Sequence, residues 1–138
     1  MNINYLKTLD IMEDTKTKLE KLLDTTEISD FEDEEASYIL QKIIKKLEDT
    51  EIILEYLNAT PKDGILKKNT LTGKFYIEYN NTTNSHPLNY GNILELFYEN
   101  EWHIGKIACT TKHGENLYYF HGDQKLFLCP GMVVRRRL

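Results

Sequence analysis

The 138-residue sequence predicts an α+β protein: an antiparallel two-helix hairpin followed by a small antiparallel β-barrel of five to six strands. Three observations carry this. Residues 1–60 contain 15 acidic residues against seven lysines, a balance of −8, whereas residues 61–138 balance at +3. All seven glycines and all three prolines lie in the second part, with 11 of the 15 aromatics. Hydrophobic spacing also changes from helical to strand-like across Thr60-Pro61-Lys62-Asp63-Gly64, a run of chain-breaking residues. The expected organisation is an acidic helical hairpin over 1–60 and a barrel over 61–138.

In the second helix Ala36, Leu40, Ile43, Leu47, Thr50, Leu54 and Leu57 recur at alternating spacings of four and three, the a/d seam of a heptad pattern. Ile39, Ile44 and Ile53 widen that stripe, as in a helix packed on more than one neighbour. Ser29-Asp30-Phe31-Glu32 predicts a capping box, with Asp33, Glu34 and Glu35 placing negative charge in the first turn. Upstream, Tyr5, Leu9, Met12, Leu19 and Leu23 follow the same spacing, interrupted by Lys16. The short linker over 24–28 makes the helices antiparallel neighbours.

The strands are read from alternation and turn residues. Ile65-Leu66-Lys67 and Phe75-Tyr76-Ile77-Glu78-Tyr79 flank a Thr72-Gly73 turn, and 80–89 reads as a polar loop. Ile93-Leu94-Glu95-Leu96-Phe97-Tyr98 and residues 102–110 flank the tight turn at Glu99-Asn100-Glu101. A polar loop over 111–116 precedes Leu117-Tyr118-Tyr119-Phe120, and Met132-Val133-Val134-Arg135-Arg136 closes the set.

Composition narrows the class. The length suits one domain or a domain with an appendage. No apolar run approaches the ~18 residues of a membrane span. Met1-Asn2-Ile3-Asn4-Tyr5 lacks the basic-then-apolar form of a secretory signal. Two cysteines make no disulfide scaffold, so a reducing cytoplasm is the expected location.

The order Gly91-Asn92-Ile93-Leu94-Glu95-Leu96, Trp102-His103-Ile104-Gly105-Lys106-Ile107, then Tyr118-Tyr119-Phe120 resembles an SH3-like barrel. With Gly64-Ile65-Leu66, Gly73-Lys74-Phe75 and the tail Gly131-Met132-Val133-Val134-Arg135, it is similar to a domain of unknown function, DUF5348, over residues 64–137. The resemblance implies an SH3-like fold and a habitat in bacterial mobile elements, plasmids or prophages. That family has no activity to carry over. Lys106 stands where its members often have Arg, and Ile107-Ala108-Cys109 replaces a more polar stretch.

No catalytic or metal constellation is legible. His86, His103, His113 and His121 are scattered, and with Cys109 and Cys129 they form no C-x₂-C or H-x₃-H pair. His103 and Cys109 would lie ~20 Å apart along one strand. No phosphate-binding glycine loop occurs, so no metal, no cofactor and no enzymatic activity is expected. The acidic run over 30–35 reads as a solvated helix start.

Binding has better support. Tyr98, Trp102, Tyr119 and Phe120 come from neighbouring strands and either form a contact surface or fill the barrel. Arg135 and Arg136, with Arg137, either contact nucleic acid or dock on acidic helix residues around 32–35 and 48–55. Leu40, Ile43, Leu47, Leu54 and Leu57 form a helix-packing or dimer seam. The expected function is a non-enzymatic interaction module of a mobile element or phage that binds a protein partner, with a homodimer through the helices also open. The alternatives are a nucleic-acid-binding accessory protein using the barrel and its arginines, and an acidic inhibitor of a host defence enzyme.

Overall fold

The computed structural model describes residues 4–80 and 85–138. Residues 1–3, part of the stretch read as no secretory signal, and 81–84, within the expected polar loop, lie outside the described residues. The chain forms α1 (Tyr5–Thr25), α2 (Phe31–Asn58), β1 (Pro61–Lys68), β2 (Phe75–Tyr79), β3 (Ser85–Pro87), β4 (Ile93–Tyr98), β5 (Glu101–Lys112), β6 (Glu115–His121), β7 (Lys125–Phe127) and β8 (Val133–Arg137). It divides between Asn58 and Ala59 into two compact units.

The first unit is a helical hairpin. Asn4 caps α1 by accepting from the Lys7 amide at 3.1 Å. In α2 the Asp30 carboxylate accepts from the Asp33 amide at 2.8 Å. Asp33 reaches back to accept from the Ser29 hydroxyl at 2.8 Å and the Ser29 amide at 3.3 Å. The capping box therefore runs from Asp30 to Asp33, one residue later than Ser29 and Glu32, and the bonds from Ser29 hold the Asp33 carboxyl below its ordinary value.

The seam of α2 differs from the expected one by the same single residue. The inward positions are Ser37, Leu40, Ile44, Leu47, Glu51 and Leu54. They share the three leucines with the expected set, but Ile44 is 8% exposed where Ile43 is 43% exposed, and Ala36 is exposed too. The reason lies in Lys16, the residue that interrupts the stripe of α1. Its ammonium lies 3.3 Å from Glu51 of α2 and 3.0 Å from Glu13, and the Lys16 and Glu51 side chains are both largely covered. A half-buried cation needs an anionic partner, so α2 turns Glu51 inward rather than Thr50. Neither helix is long and apolar enough to cross a membrane.

The second unit is one antiparallel sheet in the order β3-β2-β1-β8-β4-β5-β6-β7. The α+β class is as expected, but the strands number eight rather than five or six, and the sheet stays open at its two ends. The two extra strands, β3 and β7, are three residues each and sit at the edges, where short strands and Pro87 limit further pairing. The expected loop over 111–116 is mostly strand. His113 and Gly114 both have positive φ (52° and 77°) and make a two-residue turn that lets β5 and β6 pair out to Lys112 and Glu115. Glu99 and Asn100 do the same between β4 and β5.

The sheet curls strongly. Phe75 of β2 and Tyr118 of β6, well apart in strand order, bring their rings within 6.2 Å. Inside the curve lie Leu66, Ile77, Leu94, Leu96, Ile107, Phe120 and Val134, all essentially inaccessible. Gly105 makes this packing possible. A Cβ there would fall 2.7 Å from two atoms of the Phe120 ring and from the His121 carbonyl oxygen. The glycine of the Trp102-His103-Ile104-Gly105 stretch thus exists to seat Phe120. Gly105→Ala should cost about 2 kcal/mol by overpacking, read as a melting temperature lower by about 10 °C. Adding Phe120→Leu should recover part of that loss, and an unchanged melt in the single variant would refute the packing argument.

Candidate functional site

Cross-strand partners project to the same face of a sheet, so the strand registers sort the candidate residues. Trp102 pairs with Phe97, Glu95 with Arg135, Asp63 with Arg135, and Tyr119 with Phe127 and Ala108. These residues lie on the outer face. Tyr98, Phe120 and Arg136 lie on the inner, core-lining face. The six expected contact residues therefore do not form one surface. Phe120 is fully buried and belongs to the core, which removes it as a contact residue; Trp102, Tyr119 and Arg135 share the outer face.

That outer face carries two aromatic pairs, each covered by a cation. The Phe97 and Trp102 rings are 5.1 Å apart, and the Arg135 guanidinium lies 4.2 Å above Trp102. Arg135 is held there from the side, its Nε donating to Asp63 at 2.7 Å. The Tyr119 and Phe127 rings are 6.3 Å apart, and the Lys125 ammonium sits 4.4 Å over Tyr119. Phe97, Phe127 and Val133 remain exposed around these pairs. The cations are attracted by the ring faces, so the charges stand in fixed places.

The arginine tail has a structural task. Arg137 forms a two-pronged pair with Glu95, Nε donating to Oε2 at 3.0 Å and Nη2 to Oε1 at 3.2 Å. Glu95 is only 5% exposed. These bonds from Arg135 and Arg137 run to the sheet's own Asp63 and Glu95. The Arg137–Glu95 pair also reinforces the shortest central seam, since β8 pairs with β1 over five residues but with β4 over only two. Arg136 points the other way, opposite Lys62. Near it, burial raises the Tyr79 phenol above its ordinary value, and the Arg136 charge opposes that shift.

A second feature escaped sequence reading. A hollow of about 670 Å³ beside the β1–β2 turn is lined by Lys68, Lys74, Leu71 and Phe75. A neighbouring one of about 230 Å³ is lined by Lys68, Lys112, Phe75, Tyr118 and Phe127. The lysines come from separate elements, so no local motif could announce them; only the curl of the sheet gathers them.

His103 lies on the inner face near the start of β5. Its Nδ1 is 3.1 Å from the Asp123 carboxylate and its Nε2 is 3.2 Å from the Tyr98 carbonyl. Both contacts are satisfied together only when both ring nitrogens carry protons. The hydrogen bond with Asp123 raises the His103 pKa above 6.5 and lowers that of Asp123. Cys109 and Cys129 are free thiols, and no group of three or more His, Cys, Asp or Glu positioned for a metal ion occurs among the described residues. No family model, curated protein or solved structure matches this chain.

Two measurements check these assignments. Glu95→Gln removes the carboxylate charge from the two-pronged pair with Arg137 and should destabilise the fold by about 3 kcal/mol in denaturant titration; a loss under about 1 kcal/mol would show that the pair is dispensable. For His103 the raised pKa means that its stabilisation is complete below the unfolded value of 6.5 and is lost as pH rises through the folded value. Melting should therefore favour about pH 5.5 over about pH 8, and Asp123→Asn should flatten that slope. An NMR titration placing His103 at or below the other histidines would contradict the pairing.

Proposed function

We propose that this chain is a non-enzymatic interaction module whose sheet engages a protein partner through its outer face. The carrying observation is the cation-covered Phe97–Trp102 pair with exposed Phe97 and Val133 beside it. Trp, Tyr and Arg dominate the energetics of protein interfaces. Here Trp102 and Arg135 are already ordered by Phe97 and Asp63, so little side-chain freedom remains to be lost on binding. The resemblance of the glycine and tryptophan motifs to DUF5348 supports a bacterial mobile element as the setting, and the two unpaired cysteines support a cytoplasmic partner.

A second reading, nucleic-acid binding, is favoured by the hollows where Lys68, Lys74 and Lys112 gather near Phe75 and Tyr118. Arg135 and Arg137 serve it poorly because both are engaged with carboxylates. One set of variants separates the readings. The 138-residue chain should retain a specific protein from bacterial extract, and Trp102→Ala should lower its recovery about ten-fold with the fold intact. Identical recovery by the two would overturn the protein-binding reading. Saturable binding of labelled DNA or RNA at low salt, abolished by Lys68→Glu/Lys112→Glu and indifferent to Trp102→Ala, would install the second reading instead.

A further inference from the structure

The helical unit leaves an apolar surface unpartnered. Ile44 is its only buried hydrophobic residue among those described, too little for a hairpin to hold itself together by packing. On a wheel of about 100° per residue, the positions left over by the inward seam fall on two opposite sides of the antiparallel pair. One side is mainly acidic, with Glu13, Glu20 and Asp24 from α1 and Glu34, Glu48 and Glu55 from α2 around the exposed Leu6 and Ile52. The other carries Ile11 and Leu22 from α1 and Ala36, Ile39 and Ile43 from α2, with Thr15 and Thr50 between them. All four large residues of that side are exposed, Ile39 at 53%. These positions of α2 include the half of the heptad seam that α1 does not use.

We propose that this flank binds a second copy of the same chain, α2 against α2 in antiparallel orientation, making a four-helix assembly. Charge selects both the occupant and the direction. The flank of α2 carries Glu32 near its start and Lys46 four turns later, about 21 Å along the axis. A two-fold axis crossing α2 at Ile39 sets Glu32 against the partner's Lys46, and does so twice. It also places Ile39 against its own copy, between the two ion pairs. A parallel pairing would set glutamate on glutamate and lysine on lysine, which repels. The acidic sides then point away from the contact. This surface is independent of the outer face of the sheet, and its test is separate from that reading.

Sedimentation velocity of the 138-residue chain should give twice its 16.2 kDa mass at micromolar concentration. Ile43→Glu should weaken association about thirty-fold or more, whereas Ile52→Glu, outside the flank, should leave it intact. Because Ile43→Glu could loosen the hairpin as well, charge exchange supplies the second arm. Glu32→Lys should weaken the dimer about five-fold at low salt, and Glu32→Lys/Lys46→Glu should restore it. Ile39→Cys, in a Cys109→Ala/Cys129→Ala background, should form an interchain disulfide on mild oxidation, because the axis passes through that position. A monomer at all concentrations, a dimer indifferent to Ile43→Glu, or charge exchange without rescue would each overturn the proposal.

Discussion

The pair between Glu95 and Arg137 is the contact on which the sheet depends. Strands β1 to β3 form one meander and β4 to β7 another, and β8 is the strand that joins them. On one side β8 is well paired, over five residues with β1; on the other it meets β4 at only two. Side chains supply what the ladder does not. A guanidinium donating twice to a carboxylate is rigid as well as attractive, and it holds β4 against β8 beyond the last ladder pair. The curl of the sheet, and with it the closing of Phe75 on Tyr118 over the core, follows only if that joint holds. A buried ion pair is weak evidence for stability as such. Here its position at the narrowest joint gives it its importance.

This use of the tail changes how its charge is read. Three consecutive arginines at the end of a strand look like a phosphate-binding element. Alternation sends Arg136 to one face and Arg135 and Arg137 to the other, where Asp63 and Glu95 meet them. The positive balance of the second unit is thus partly consumed internally. What the outer face offers is ordered aromatic surface, with Arg135 and Lys125 lying on rings rather than reaching into water. Such a surface discriminates by shape more than by net charge, because its cations are already committed. Lys68, Lys74 and Lys112 gather elsewhere, beside the β1–β2 turn, which is why the two functional readings fall on different parts of the same sheet.

The α+β class, the helical hairpin and the main strands were legible in the sequence because each rests on local pattern: heptad spacing, alternation and chain-breaking residues. What was not legible depended on pairs distant in sequence. The choice between Ile43 and Ile44 turned on Lys16 of α1 seeking Glu51 of α2, and heptad spacing alone fits both registers through Leu40, Leu47 and Leu54. The two-residue turn at His113-Gly114 was hidden because a polar run resembles a loop until the strands beside it are seen to pair. The candidate aromatics were found individually, yet their grouping was not. Tyr119 and Phe120 are adjacent in sequence and lie on opposite faces, one beside Phe127 and the other under the whole core.

The two possible seams of α2 are better regarded as one design than as an ambiguity. A helix whose leucines serve two registers presents a double-width apolar stripe, and a single neighbour of ordinary size covers only part of it. Selecting the Ile44 register satisfies Lys16 and leaves Ile39 and Ile43 outside. Selecting the Ile43 register would bury that stripe against α1 but remove the Glu51 contact, leaving the largely covered Lys16 ammonium with Glu13 of its own helix as its one countercharge of the two. The ion pair with Glu51 therefore decides which half of the stripe remains exposed. A hairpin of this length contributes little stability of its own, and the isoleucines left outside are the surface on which the proposed pairing of two copies would add to it. Lys16, which looks like a flaw in the pattern of α1, is thus the residue that orients the hairpin's apolar flank outward.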